Sequence, residues 1–224
     1  MSAALDGAAS TGLRSPDVSH VPTDSALSPR QSQRFWDGVR FAERFFMGTD
    51  EVHGAMRRLC QTLEADGIPY AIAGAMALNL WGYRRVTTDV AVLLDAAGLA
   101  AFKAKHLGRG YLERFPGSKG VRDTESGVKI DVLLTGDFPG DGLPKEVSFP
   151  SPTVAVRGDA VMVLPIRYLV ELKLASGLTN PDRLKDLADV QELIRHAALP
   201  LELVDDHRPD GAGEVRRDLE QHEA

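Results

Sequence analysis

The stretch GVKIDVLLTG (127–136) constrains this chain more than any other. Glycines bound it, and on a β-strand successive side chains point to opposite faces. Val128, Ile130, Val132 and Leu134 therefore share one face, while Lys129, Asp131 and Leu133 share the other. An apolar face must be buried and a face bearing a carboxylate need not be. The strand thus belongs in a sheet with helices packed on it.

A second strand, 89–94, closes the run RRVTTDVAVLL (84–94), with Asp89 at its head. If the two strands are neighbours and their acids point the same way, Asp89 and Asp131 can hold one divalent cation such as Mg²⁺. An acid at a strand start also serves as a turn or cap residue, and spacing alone leaves both readings open. Two positions beyond Asp89, on the same face, stands Ala91. A second acid there would have completed a two-carboxylate metal clamp.

Around these strands the pattern alternates between periods. Phe35, Val39 and Phe46 sit at helical spacing, and after Thr49 as N-cap come Val52, Met56, Leu59, Cys60 and Leu63, which predicts two helices with Gly67 ending the second. PYAIAG (69–74) reads as a strand running into a helix at 75–82. A helix is expected over 96–106, then YLERF (111–115), and, after a Gly/Pro-rich loop (136–144), a hairpin turning at Gly158-Asp159. Pro165 opens a helix at its first position, and Asn180-Pro181 caps and opens another running to about His196. Gly74-Ala75, between strand and helix, is either a place where backbone N–H groups meet a phosphate or a simple tight connection.

At 224 residues and 43% hydrophobic composition, the chain suits one domain with tails. Residues 1–30, rich in Ser, Ala and Pro, are expected to be a disordered arm. Residues 201–224, with three basic and eight acidic side chains, are expected to be an acidic flexible tail, and the domain between spans 31–200. The net charge of −6 lies entirely in those flanks, because 31–200 holds 21 basic and 21 acidic residues. Within it, 84–130 carries nine Lys/Arg against five Asp/Glu, which suits a phosphate-bearing ligand or is only a solvated surface. One cysteine, Cys60, excludes an internal disulfide and points to a reduced, cytoplasmic setting. The longest apolar stretch, AIAGAMALNLWGY, is too short and interrupted to span a bilayer. No Walker loop, dinucleotide fingerprint, histidine metal spacing or Ser-His-Asp arrangement is present.

The ordered combination of strand, Gly-Ala, helix, GYRRVTTD, strand and a later strand with Asp131 resembles the nucleotidyltransferase-fold superfamily. That superfamily includes polymerase-β-type enzymes, and the likeness is greatest to its minimal and AbiEii-like bacterial members. LVELKLASGLTNPDRLKDLADVQELI (169–194) is similar to their K-then-RxKDxxD helices. The resemblance covers roughly 65–196. It implies an α/β (α+β) fold, a mixed sheet flanked by helices with N-terminal helices and a C-terminal helical pair. Gly74 matches the turn glycine and Ala75 the small residue after it, Arg85 and Thr87 the residues ahead of the first metal acid, Asp89 that acid, and Asp131 the third. Lys173, Lys185, Asp186 and Asp189 match the helical motif, or form a salt-bridged helix surface with Lys185 and Asp189 at i,i+4.

What the resemblance implies is binding of a nucleoside triphosphate with Mg²⁺ or Mn²⁺. Asp89 and Asp131 would be the catalytic and metal-binding acids, and Gly74, Ala75, Arg85, Thr87, Lys173 and Lys185 the nucleotide-binding residues. The acceptor would be a hydroxyl of a protein, RNA or small molecule, with no membrane and no extensive duplex DNA involved. Ala91, in place of the second acid, leaves three outcomes: weak single-metal catalysis, nucleotide binding without transfer, or a pseudoenzyme kept for protein contacts, such as a toxin–antitoxin-like component.

Overall fold

The computed structural model describes residues 29–158 and 160–197. They fall into two units that divide within the first helix, at Val39 and Arg40. The arm expected at 1–30, apart from its last two residues, and the tail expected at 201–224 lie outside the described residues.

The elements run α1 (Pro29–Phe46), α2 (Glu51–Ala65), β1 (Ala71–Ala73), α3 (Gly74–Leu80), β2 (Asp89–Leu94), α4 (Ala96–His106), β3 (Tyr111–Glu113), β4 (Val121–Asp123) and β5 (Lys129–Leu134). They continue with β6 (Val156–Arg157), β7 (Met162–Val163), α5 (Ile166–Thr179) and α6 (Leu184–Ala197). Among the described residues the strands form one sheet, ordered β3-β4-β5-β2-β1-β7-β6. The β2/β5 and β1/β7 pairs are parallel and the other neighbours antiparallel. This is the mixed α/β architecture expected. Its centre is apolar on the face away from Asp131: Val90, Val92 and Ile130 are fully buried, in one core with Leu59 and Leu63 of α2 and Phe102 of α4. No described helix is long and apolar enough to cross a membrane.

Several boundaries differ from expectation for local reasons. The N-cap of α2 is Asp50, not Thr49. The Asp50 carboxylate accepts from the N–H groups of Val52 and His53, whereas the Thr49 hydroxyl donates back to Arg44 O. Gly67 does end that helix, at φ +65, with Gly67 N donating to Glu64 O and Ile68 N to Leu63 O in a Schellman closure. At the end of α1 it is Phe45 that is buried, while Phe46 is 41% exposed under the Arg84 guanidinium.

Strand β4 falls between the segments 111–115 and 127–136, where the sequence pattern assigns no element. Its inward positions are Val121 and Asp123, and an inward acid hides the alternation that marks a strand. Asp123 is buried because Arg58 and Ser126 satisfy it. The hairpin is shorter than expected, two residues a strand, and residues 152–154 form a 3₁₀ turn before it. Asp159 at its tip lies outside the described residues. Pro165 is the cap of α5 rather than its first residue, and Asn180 caps a 3₁₀ turn, Pro181–Arg183, that leads into α6.

Candidate functional site

The register of the central strands builds the site floor. Ala91 of β2 pairs with Asp131 of β5 on one side and with Ala73 of β1 on the other, so these three side chains lie abreast on one sheet face. Asp89, two residues before Ala91, points to the same face.

Chain direction then brings α3 over this face. It starts at Gly74, immediately after β1, with φ +59. A Cβ at that position would sit 2.9 Å from the Ala91 methyl. Gly74 is therefore required twice, by its left-handed backbone and by the strand beneath it. Asn79 of α3 ties the next segment down: its amide group donates to Arg85 O (2.6 Å) and accepts from Arg85 N (3.0 Å).

Above the floor opens a cleft of about 800 Å³. Gly74, Ala75, Arg85, Thr87, Asp89, Ala91, Asp131 and Lys173 all line it. Its other walls are the 136–142 loop, with Phe138 half-buried, and Ser176, Arg183 and Asp186 from the helical pair. Lys185 is exposed on α6 and is not among the lining residues. Lys119, Arg183 and the 136–142 loop enter the site without having been singled out by sequence. They approach from distant segments, and only the glycine spacing of the loop (Gly136, Gly140, Gly142) carried a local signal, which read as loop.

The cleft carboxylates differ in their partners. Asp131 meets Arg114 (2.5 Å), Asp137 meets Lys119, and Asp141 meets Lys145. Asp186 meets Lys173 (2.7 Å) and the Ser176 hydroxyl (2.7 Å). Asp89 accepts from the Thr87 hydroxyl (2.5 Å). Among the described residues it is the cleft carboxylate that no cationic side chain meets. Behind the helical wall, Asp189 is buried between Lys173 (2.7 Å) and Arg85. Burial pushes the Asp186 carboxyl upward in pKa, but the Lys173 and Ser176 hydrogen bonds outweigh it and hold the group below its ordinary value.

Two carboxylates on one face can ligate one oxygen-seeking cation that arrives with phosphate oxygens of its own. Ala91, directly beside Asp131 and two residues beyond Asp89 on that face, presents a methyl that offers no ligand to a second ion. Among the described residues no group of three or more His, Cys, Asp or Glu is placed to hold a metal ion.

No protein-family model and no curated protein matches the sequence. Among solved structures the chain is similar to the crystal structure of ANT(2")-Ia in complex with adenylyl-2"-tobramycin. The identity is 12% and the TM-score 0.45, with 68% of this chain and 91% of that chain covered. It is similar also to the solution structure of antibiotic-resistance factor ANT(2'')-Ia (14% identity, TM-score 0.44, 77% and 96% covered). A third is an antigenic nucleotidyltransferase-like protein from Paracoccidioides brasiliensis (16% identity, TM-score 0.42, 66% and 77% covered).

Proposed function

We propose that the cleft binds a nucleoside triphosphate together with one Mg²⁺ or Mn²⁺, and that any nucleotidyl transfer from it to an acceptor hydroxyl is slow. The observation that carries this is the placement of Asp89 and Asp131 on adjacent parallel strands, facing one cleft beneath Gly74. Asp89 and Asp131 would hold the ion. Bound there, it neutralises charge on phosphate oxygens.

The chain's own groups supply the rest. Gly74, lacking a side chain, lets phosphate approach the backbone at the start of α3. Lys119 and Arg183, each about half exposed, offer cations to the phosphates from opposite walls. Arg85 and Lys173 serve less directly, since both are held against the buried Asp189, whereas Lys119 and Arg183, near Asp137 and Asp186, remain open to solvent. In transfer, a bond forms between the acceptor oxygen and the α-phosphorus while the bond to pyrophosphate breaks, pyrophosphate leaving with the electron pair and the hydroxyl proton passing to solvent. Ala91 cannot hold a second ion to stabilise both oxygens, so several kcal/mol of transition-state stabilisation, about 10³-fold or more in rate, is missing. Titration with each NTP in the presence of Mg²⁺, followed by calorimetry, tests the proposal. Saturable binding at micromolar to millimolar nucleotide is expected, and no heat at millimolar NTP would sink it.

A second reading, a non-catalytic module such as a toxin–antitoxin-like component, is favoured by Ala91 itself. Binding of a protein partner with undiminished affinity after Asp89→Asn would support that reading over the first.

A further inference from the structure

We propose that Arg114 sets the affinity of this site for divalent cations, by holding the Asp131 carboxylate until a cation displaces it. The inference rests on the metal-binding reading above and adds to it a competing group from the protein itself.

Arg114 follows strand β3 and is remote from Asp131 in sequence, yet its guanidinium reaches Asp131 Oδ1 at 2.5 Å. The route is built. Arg114 N donates to Gly120 O, and the side-chain stem passes over Gly120. A Cβ on that residue would lie 3.3 Å from Arg114 Cδ and 2.9 Å from Ile130 O, so a larger residue would crowd both the stem and the strand bearing Asp131. The side chains of Arg114 and Asp131 are 36% and 43% exposed, and an ion pair this open to water is weak and exchangeable.

The contrast with Asp89 gives the pairing its consequence. Among the described residues Asp89 has a hydroxyl partner and no cationic one, so it is open to an incoming ion from the outset. Asp131 is not, because guanidinium and a divalent cation compete for the same carboxylate. While Arg114 is bound, a divalent ion finds Asp131 Oδ1 engaged and the charge of that carboxylate partly neutralised; once Arg114 leaves, it finds both Asp89 and Asp131 without a cationic partner among the described residues. By linkage, each then weakens the other's hold on Asp131 by the same factor.

The test uses Mn²⁺ alone, without nucleotide, with free Mn²⁺ read by electron paramagnetic resonance on the full chain. Arg114→Ala and Arg114→Gln should each tighten Mn²⁺ binding by roughly three- to tenfold. Arg114→Lys, which keeps the charge, should stay nearer wild type. Adding Asp131→Asn to Arg114→Ala should abolish the gain. Affinities within twofold of wild type in both neutral variants, no Mn²⁺ binding in any of them, or a gain that survives Asp131→Asn would overturn the proposal. The NTP titration of the wild-type protein reports separately on the nucleotide reading, so the two can fail independently.

Discussion

The two walls of the cleft hold carboxylates in opposite circumstances. Behind the helical wall Asp189 is 2% exposed and shared between Arg85 and Lys173, and on that wall Asp186 is 14% exposed on Lys173 and Ser176. On the sheet floor Asp131 is 43% exposed with one partner, and Asp89 has no cationic partner among the described residues. The buried acids are committed to joining α5, α6 and the segment before β2. The open ones hold little together: among the described residues Asp89 meets the Thr87 hydroxyl, and Asp131 makes an exchangeable ion pair with Arg114. Substitutions on the first wall should therefore register as stability, and those on the floor as binding.

The largest effect belongs to Asp189→Ala. It leaves the Arg85 guanidinium and part of the Lys173 charge buried without their partner, a change that costs about 3–5 kcal/mol when one member of a buried pair is removed. Lys173 keeps Asp186, so the lower end applies, with a melting temperature lower by roughly 6–12 °C. A loss under about 1 kcal/mol would dissolve the contrast between the walls. The same wall has a pH signature. Folded Asp186 takes up its proton less readily than in the unfolded chain, so the stability it contributes is present at neutral pH and is lost as pH falls below about 4. Asp186→Asn should flatten that part of an acid-unfolding profile.

Gly74→Ala should come next. A non-glycine residue at φ +59 costs about 1–2 kcal/mol, and the new methyl meets the Ala91 methyl at 2.9 Å, so a total of about 2–3 kcal/mol is expected. Pairing it with Ala91→Gly separates the two causes. The double variant should recover the contact portion and keep the backbone portion, and a coupling near zero in the unfolding cycle would mean the two residues do not touch.

Much of this contrast can be read along the chain, and some of it cannot. The bounds of β2 and α4 coincide with those expected from 89–94 and 96–106, because apolar runs broken by acids and glycines are local signals. The common face of Asp89 and Ala91 follows from the two-residue period of a strand. Strand β4 was hidden because its inward Asp123 is made tolerable by Arg58, 65 residues earlier in the chain. Arg114, Lys119 and Asn79 were illegible for the same reason: their roles are set by segments folded onto them, and nothing in their immediate sequence distinguishes them from ordinary surface residues. Lys185 shows the converse. It matches a helical motif by position, yet α6 presents it to solvent.

Ala91→Asp would convert the floor into a three-carboxylate cluster. Without metal, like charges on neighbouring strands should repel and lower stability by about 1 kcal/mol. With Mn²⁺ at 100 times its Kd, binding to the folded state should return about 2.7 kcal/mol. The measurement is the melting temperature of wild type and variant, each with and without Mn²⁺, and the variant should show the larger metal-dependent rise. If it melts like wild type and ignores the metal, residue 91 does not share a site with Asp89 and Asp131.

The smallest effect on stability, and the sharpest separation of the walls, should come from Asp89→Asn. Asparagine is nearly isosteric with aspartate, and its carbonyl oxygen can still accept from the Thr87 hydroxyl at the 2.5 Å contact, so the hydrogen bond the side chain makes among the described residues is retained. No cationic partner is orphaned by the loss of charge, which removes the usual source of a large penalty. Unfolding free energy should stay within about 0.5 kcal/mol of wild type. Cation-assisted nucleotide binding should nevertheless weaken by about tenfold or more, since the amide oxygen is a poor substitute for a carboxylate at a divalent ion and the remaining acid, Asp131, is held by Arg114. Calorimetric titration with NTP, with and without Mg²⁺, distinguishes the outcomes. If Asp89→Asn binds NTP–Mg²⁺ as wild type does, the floor of the cleft is not where the nucleotide's cation sits, and its open carboxylates have some other use.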